Sequence, residues 1–129
     1  MDNKLFECFI PVGTVSESNM RDHWRSRHRR SKSQKQAVQL FFTPSLGSDF
    51  TSIDIILTRQ SAGILDTDNL PGSLKAIRDA VADVLIPGLA PGRADGDVRL
   101  RWIYEQKRDP EIGVRVQILP RSRRKRDVL

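Results

Sequence analysis

The sequence predicts an α+β fold: one small domain in the order β-α-β-α-β-β, with two helices packed on a mixed sheet. Three observations predict it. A chain of 129 residues is long enough for one hydrophobic core. Apolar residues alternate at a spacing of two in four separate stretches, the period of half-buried strands. Between them lie two longer stretches of helical composition, of which the second has apolar residues every three or four positions. Composition is ordinary for a globular protein, with 38% hydrophobic and 29% charged residues.

The elements follow in order. "LFECFIPV" (5–12) places Phe6, Cys8, Ile10 and Val12 on one face of a first strand. The turn-like "TVSESN" leads into a helix from about Asn19 to Phe42, stopped by Pro44. The middle of that helix, Arg25 to Gln36, has almost no apolar stripe, so Met20 and Trp24 are expected to anchor its start and "AVQLFF" its end. "FTSIDIILTRQ" (50–60) sets Ile53, Ile55 and Leu57 against Ser52, Asp54 and Thr58 as a second strand. From Leu70 or Ser73 to Leu85 the stripe Leu74, Ile77, Val81 and Val84 predicts the second helix. The Pro/Gly loop "IPGLAPGRADGD" (86–97) enters a strand over 98–106 that buries Val98, Leu100, Trp102 and Tyr104. After "KRDPE", Ile112, Val114, Val116 and Ile118 share one face of a last strand, expected to form an antiparallel hairpin with the strand before it. Residues 1–120 form the expected domain, and 121–129 read as a basic, disordered tail.

Charge excludes some classes and favours others. The net charge is +6, with a pI near 10.1. More than half of the 22 basic residues fall in two short segments, "RDHWRSRHRRSKSQK" (21–35) and "RSRRKRDVL" (121–129). A merely solvated helix interleaves acids at i,i+4, and the first segment does not. It predicts a nucleic-acid surface carried by Asn19, Arg21, His23, Arg25, Arg27, Arg29, Arg30 and Lys32. His23 and His28 are candidate phosphate contacts rather than metal ligands. No apolar run approaches the roughly 18–20 residues of a membrane span, so no membrane partner is expected. The N-terminus lacks the marks of a signal peptide. The single cysteine, Cys8, allows no internal disulfide and fits a small core residue in a reducing, cytoplasmic setting.

Against this basic background, "GILDTDNLPGSLKAIRDAV" (63–81) concentrates acid. Asp66 and Asp68 leave the second strand, while Asp95 and Asp97 enter the next. If both loops meet at one end of the sheet, their oxygens converge as hard donors for Mg2+, with Mn2+ as a substitute. In an extended segment Asp66 and Asp68 point the same way and can share one ion. Such an ion polarises a phosphodiester and activates water. The plainer readings are that Asp68 or Asn69 caps the following helix and that "DGD" is a turn. Lys75 is placed to neutralise a phosphate, or else pairs with Asp79 at i,i+4.

"LDTDN", the lysine and "RDAV" on a helix, and "DGDVRLRW" entering a strand resemble the RusA family of Holliday-junction resolvases, the phage and prophage branch above all. "SNMRDHWRSRHRRSKSQKQAV" is similar to that family's N-terminal region, and the likeness runs over roughly residues 5 to 119. The resemblance implies a homodimeric, Mg2+-dependent endonuclease that resolves four-way DNA junctions by paired, symmetric nicks. It implies Asp66, Asp68 and Asp95 as metal-binding acids and Lys75 as the catalytic lysine, with Asn69, Asp79 and Asp97 in support behind them. Where relatives carry an Asp-Asp pair this chain has Ala94-Asp95, and the "PGLAPGRA" loop is longer than usual. Two other classes stand beside this one. A non-catalytic junction-binding module uses the same basic helix and needs no metal. A phosphotransferase with Asp66 as nucleophile normally needs a larger α/β core, with its motif after the first strand.

Overall fold

Alternating apolar residues form strands here because one face of each can be buried while the other meets solvent. A computed structural model describes residues 4–16, 24–46, 50–89 and 92–121. The strands are β1 (Phe6–Ile10), β2 (Ile53–Ser61), β3 (Leu100–Arg108) and β4 (Gly113–Pro120). The helices are α1 (Trp24–Phe41), α2 (Leu70–Ser73) and α3 (Lys75–Leu85), with a 3-10 turn at Ala94–Gly96. The α+β class with a mixed sheet is as predicted. Residues 122–129 of the expected tail lie outside the described residues, as do Met20 and the start predicted for the first helix.

The sheet order is β1-β4-β2-β3. β4 runs antiparallel to both its neighbours, and β2 pairs with β3 in parallel. The predicted hairpin between the last two strands is therefore not formed, and β2 lies between them. The reason is burial. β2 hides residues of both faces and needs a hydrogen-bonded neighbour on each side, while the second half of β3 is charged and suits an edge. Residues 109–112 carry the chain across the end of β2, tied there by Asp109 N–H to the Ser61 carbonyl at 3.0 Å and by Gln60 Nε2 to the Glu111 carbonyl at 3.4 Å. Gly113 opens β4 because a Cβ there would collide with the Phe9 ring and the Ile10 carbonyl.

The core lies on the face shared by Ile10, Ile53, Ile55, Leu57, Val114, Val116 and Ile118. Leu74, Ile77 and Val81 cover it from α3, and Val38 and Phe42 from the end of α1. Phe42 meets Phe6 edge to face at 5.4 Å. Four predictions of the core fail at element ends. Val84 is exposed, and Leu85 takes its place. Val98 (85% exposed) and Ile112 precede their strands instead of belonging to them. Trp24, 65% exposed, anchors nothing in the core and carries the Arg25 guanidinium over its ring at 5.5 Å.

The second helix is two pieces. Ser73 Oγ donates to the Leu70 carbonyl at 2.7 Å, and Leu74 N–H reaches only to Pro71, so the chain kinks at Leu74 before α3 begins.

Asp54, predicted on the solvent side of β2, is completely buried. Arg101, its partner in register on β3, grips both carboxylate oxygens at 2.7 and 2.9 Å. Replacing Arg101 by Met leaves that carboxylate buried without its bidentate donor, and the expected loss is about 3 kcal/mol in urea unfolding. The double variant Asp54→Leu/Arg101→Met is expected to recover most of it. A second expectation concerns Cys8, whose thiol burial pushes up to about 11. The unfolded chain ionises this thiol at lower pH than the folded one, so stability falls as pH rises from 9 to 11. Unfolding of Cys8→Ala across that window should lack this component.

Candidate functional site

The loop that leaves β2 is held by two side chains of one cross-strand pair, Arg59 on β2 and Gln106 on β3. Arg59 is the last of the inward-facing series Ile53, Ile55, Leu57, and it is buried. Its Nε donates to Thr14 Oγ1 at 2.9 Å, one terminal nitrogen to the Thr14 carbonyl at 3.2 Å, and the other to the Gly63 carbonyl at 2.9 Å. Burial pulls this guanidinium below its usual pKa. Gln106 treats Leu65 as a ladder partner: it accepts from the Leu65 N–H at 3.0 Å and donates to the Leu65 carbonyl at 2.7 Å.

Just beyond these anchors, Asp66 and Asp68 are exposed. They do not lie in an extended segment. Asn69 N–H bonds the Asp66 carbonyl at 2.9 Å, closing a turn. Strand-like alternation therefore does not align the two carboxylates. Asn69 occupies the cap position of α2 without a side-chain capping bond.

Lys75 opens α3, and its Nζ lies 3.1 Å from Asp79 Oδ2, the i,i+4 pair that was the plainer expectation. Asp79 is buried. Next to it Arg78 acts as a hub. Its Nε stands 3.9 Å from Asp79 Oδ1, one terminal nitrogen 3.2 Å from Asp95 Oδ2, and the other donates to the Tyr104 hydroxyl at 2.8 Å. Desolvation pulls the Arg78 guanidinium down, but the Tyr104 hydroxyl and the two carboxylates outweigh it and hold the group firmly charged. Trp102 Nε1 donates to the Asp95 carbonyl at 2.8 Å. Asp97 turns to Arg99, which binds both its oxygens at 3.0 and 3.1 Å and holds the carboxyl below its usual range.

Trp102, Tyr104 and Gln106 thus lie on one face of β3 and hold, in turn, Asp95, Arg78 and the loop before Asp66. Arg59, Arg78 and Gln106 were not foreseen from the sequence. The available signal was the face of β3 itself, which passes from Leu100 through two aromatics with polar tips to an amide.

Among the described residues, no three His, Cys, Asp or Glu side chains are grouped so that they could hold a metal ion. Asp66 and Asp68 fit Mg2+ by donor chemistry, as exposed hard oxygens. Asp95, the third expected ligand, has its Oδ2 paired with Arg78.

The basic surface is the flank of α1. Arg25, Arg27, Arg29 and Lys32 are exposed and Arg30 is half-buried, while only Gln34 and Val38 of that helix are buried. Asn19, Arg21 and His23, the other expected DNA contacts, lie outside the described residues. α1 packs beside α3, and of these cations Arg27 shares a groove with Lys75 and Asp79, while Arg29 and Arg30 lie on the side toward Val12 and Gly13.

Gln106→Ala removes both bonds to Leu65. The expected result is faster amide hydrogen exchange at Leu65 and about 1–3 kcal/mol lower stability; an unchanged Leu65 amide would mean that the loop is held by other contacts. Comparison of the chain with models of protein families, with curated proteins and with solved structures finds no match.

Proposed function

We propose that this protein binds branched DNA through α1 and nicks it as a metal-dependent, structure-selective endonuclease. The observation that carries the reading is the cationic surface of α1, without acids of its own helix to neutralise it, packed beside α3, the helix that Lys75 opens. Phosphate contacts of this kind position a duplex without reading its sequence. Asp66 and Asp68 would hold Mg2+ or Mn2+. An ion there supplies a polarised phosphodiester and an activated water. Lys75, anchored by Asp79 and 62% exposed, brings a fixed positive charge to a bound phosphate. The resemblance to the RusA family supports four-way junctions as substrate and a homodimer making paired nicks. A cytoplasmic setting suits such a substrate. Among the described residues no helix is long and apolar enough to cross a membrane.

One observation favours a second reading, a junction-binding protein without cleavage. Asp95 is paired with Arg78, and no three-acid group forms among the described residues.

The two readings separate in one experiment on a labelled synthetic four-way junction. Wild type and Asp68→Asn are compared for cleavage in Mg2+ and for binding in Ca2+. Cleavage is expected as symmetric nicks in wild type and at least about 100-fold slower in the variant, with binding retained. Tight binding without cleavage by either protein, in Mg2+ or Mn2+, would establish the second reading.

A further inference from the structure

A helix that packs on a neighbour normally does so through an apolar stripe at i, i+3, i+4 and i+7. On α1 the buried positions Gln34 and Val38 belong to such a stripe, and Ser31 and Arg27 continue it toward the N-terminus. Ser31 is only half-buried and Arg27 is exposed. α1 therefore packs at its C-terminal end and leaves a groove of about 530 Å³ further up, between itself and the α2–α3 segment. Gly72 and Ala76 keep the opposite wall low, and a Cβ on Gly72 would meet nothing within 4 Å.

The charged side chains of the groove are mainly basic, set in a lining that is otherwise largely aliphatic. Arg27 and Lys35 line it from α1, and Lys75 from α3. The one acid among the described lining residues, Asp79, has Oδ2 on Lys75 and Oδ1 toward Arg78. Its carboxylate holds the Lys75 ammonium at the wall and is itself neutralised. Among the described residues no aromatic ring lines the groove, so they offer no platform on which a base could stack. A tetrahedral anion with several acceptor oxygens suits a groove lined by three basic side chains.

We propose, on the footing of the DNA-binding reading above, that this groove seats a backbone phosphodiester of one DNA strand, held by Arg27, Lys35 and Lys75. Lys35, which the sequence does not single out as a DNA contact, becomes part of the binding surface. Strand engagement then reaches from the outer flank of α1 to the start of α3. Because the contact is to backbone, it is independent of base sequence.

The test is binding of a labelled four-way junction in Ca2+ over a salt series. Lys35→Ala is expected to lower the slope of log affinity against log salt by about one, the signature of one lost phosphate contact. Gly72→Glu, which places a carboxylate in open space within the groove, is expected to weaken binding about tenfold. Lys35→Arg should restore the wild-type slope. Lys107→Glu, a charge reversal on an exposed residue of β3, is expected to change affinity less than about twofold. Thermal unfolding of each variant confirms that the fold is intact. If wild type binds while Lys35→Ala and Gly72→Glu match it in slope and affinity, the groove is not the seat, although DNA binding stands. If Lys107→Glu weakens binding as much as Gly72→Glu, the effect is one of net charge and the proposal fails. A wild type that binds no DNA overturns the DNA-binding reading itself, and the phosphate seat with it.

Discussion

The parallel pairing of β2 with β3 governs the geometry of the carboxylate loops. In a parallel pair the chain leaves one strand at the end opposite to where it enters the next, and a helical crossover spans the distance. Here Ile53 faces Leu100 and Ser61 faces Arg108, so the Asp66 loop and the Asp95 loop begin at opposite ends of the pair. α2 and α3 make the return journey. The 3-10 turn then folds back along β3 until Trp102 catches the Asp95 carbonyl. The Asp66 loop is caught at Gln106, four residues further along the same face, or about 13 Å of strand. Convergence of the two loops at one end of the sheet, a natural expectation from the order of elements, is not what a parallel pair provides.

The same pairing explains how the acids are neutralised. α3 runs back over the strand pair, and Arg78 in its first turn reaches the β3 face at Tyr104. Arg78 lies where Tyr104 can orient it and where Asp95 and Asp79 can both reach it. The chain thus supplies its own cation to the acids nearest the core, in surroundings where an uncompensated carboxylate is costly. Asp97 is matched by Arg99 in the same way. Asp66 and Asp68 are different. Held out on a turn beyond the Arg59 and Gln106 anchors, they pair with no cation among the described residues. In a protein whose net charge is strongly positive, those two carboxylates remain open to an external cation.

Much of the fold was legible because two-residue and helical periodicities report directly on burial. Val114, Val116 and Ile118, and Leu74, Ile77 and Val81, are all fully buried as their spacing requires. Periodicity is silent about neighbours, however. Nothing local in "VRLRWIYEQ" or "IGVRVQIL" says that β4 must slip between β1 and β2, because that follows from β2 needing a partner on each side. It also overruns element ends, where Val98 and Ile112 continue an alternation the backbone has already abandoned. The site was legible as composition only. The acids and Lys75 could be named, but the residues that position them (Arg59, Arg78 and Gln106) act across strands and become meaningful only once the register is known.

Arg59 makes the point most sharply. By pattern it should be a fourth apolar residue after Ile53, Ile55 and Leu57, and a Leu there would add to the core at no electrostatic cost. The chain instead buries a guanidinium, accepts the desolvation that depresses its pKa, and offers it a hydroxyl and two carbonyls rather than a carboxylate. Such an arrangement is poor value for stability alone, since neutral partners repay only part of the cost of burying a charge. What it secures is geometry. One rigid, five-donor fork fixes Thr14, at the exit of the first strand toward the basic helix, and Gly63, at the entry to the acidic loop. The segment leading to the basic helix and the loop of exposed carboxylates are thereby referenced to a single side chain in the floor of the domain.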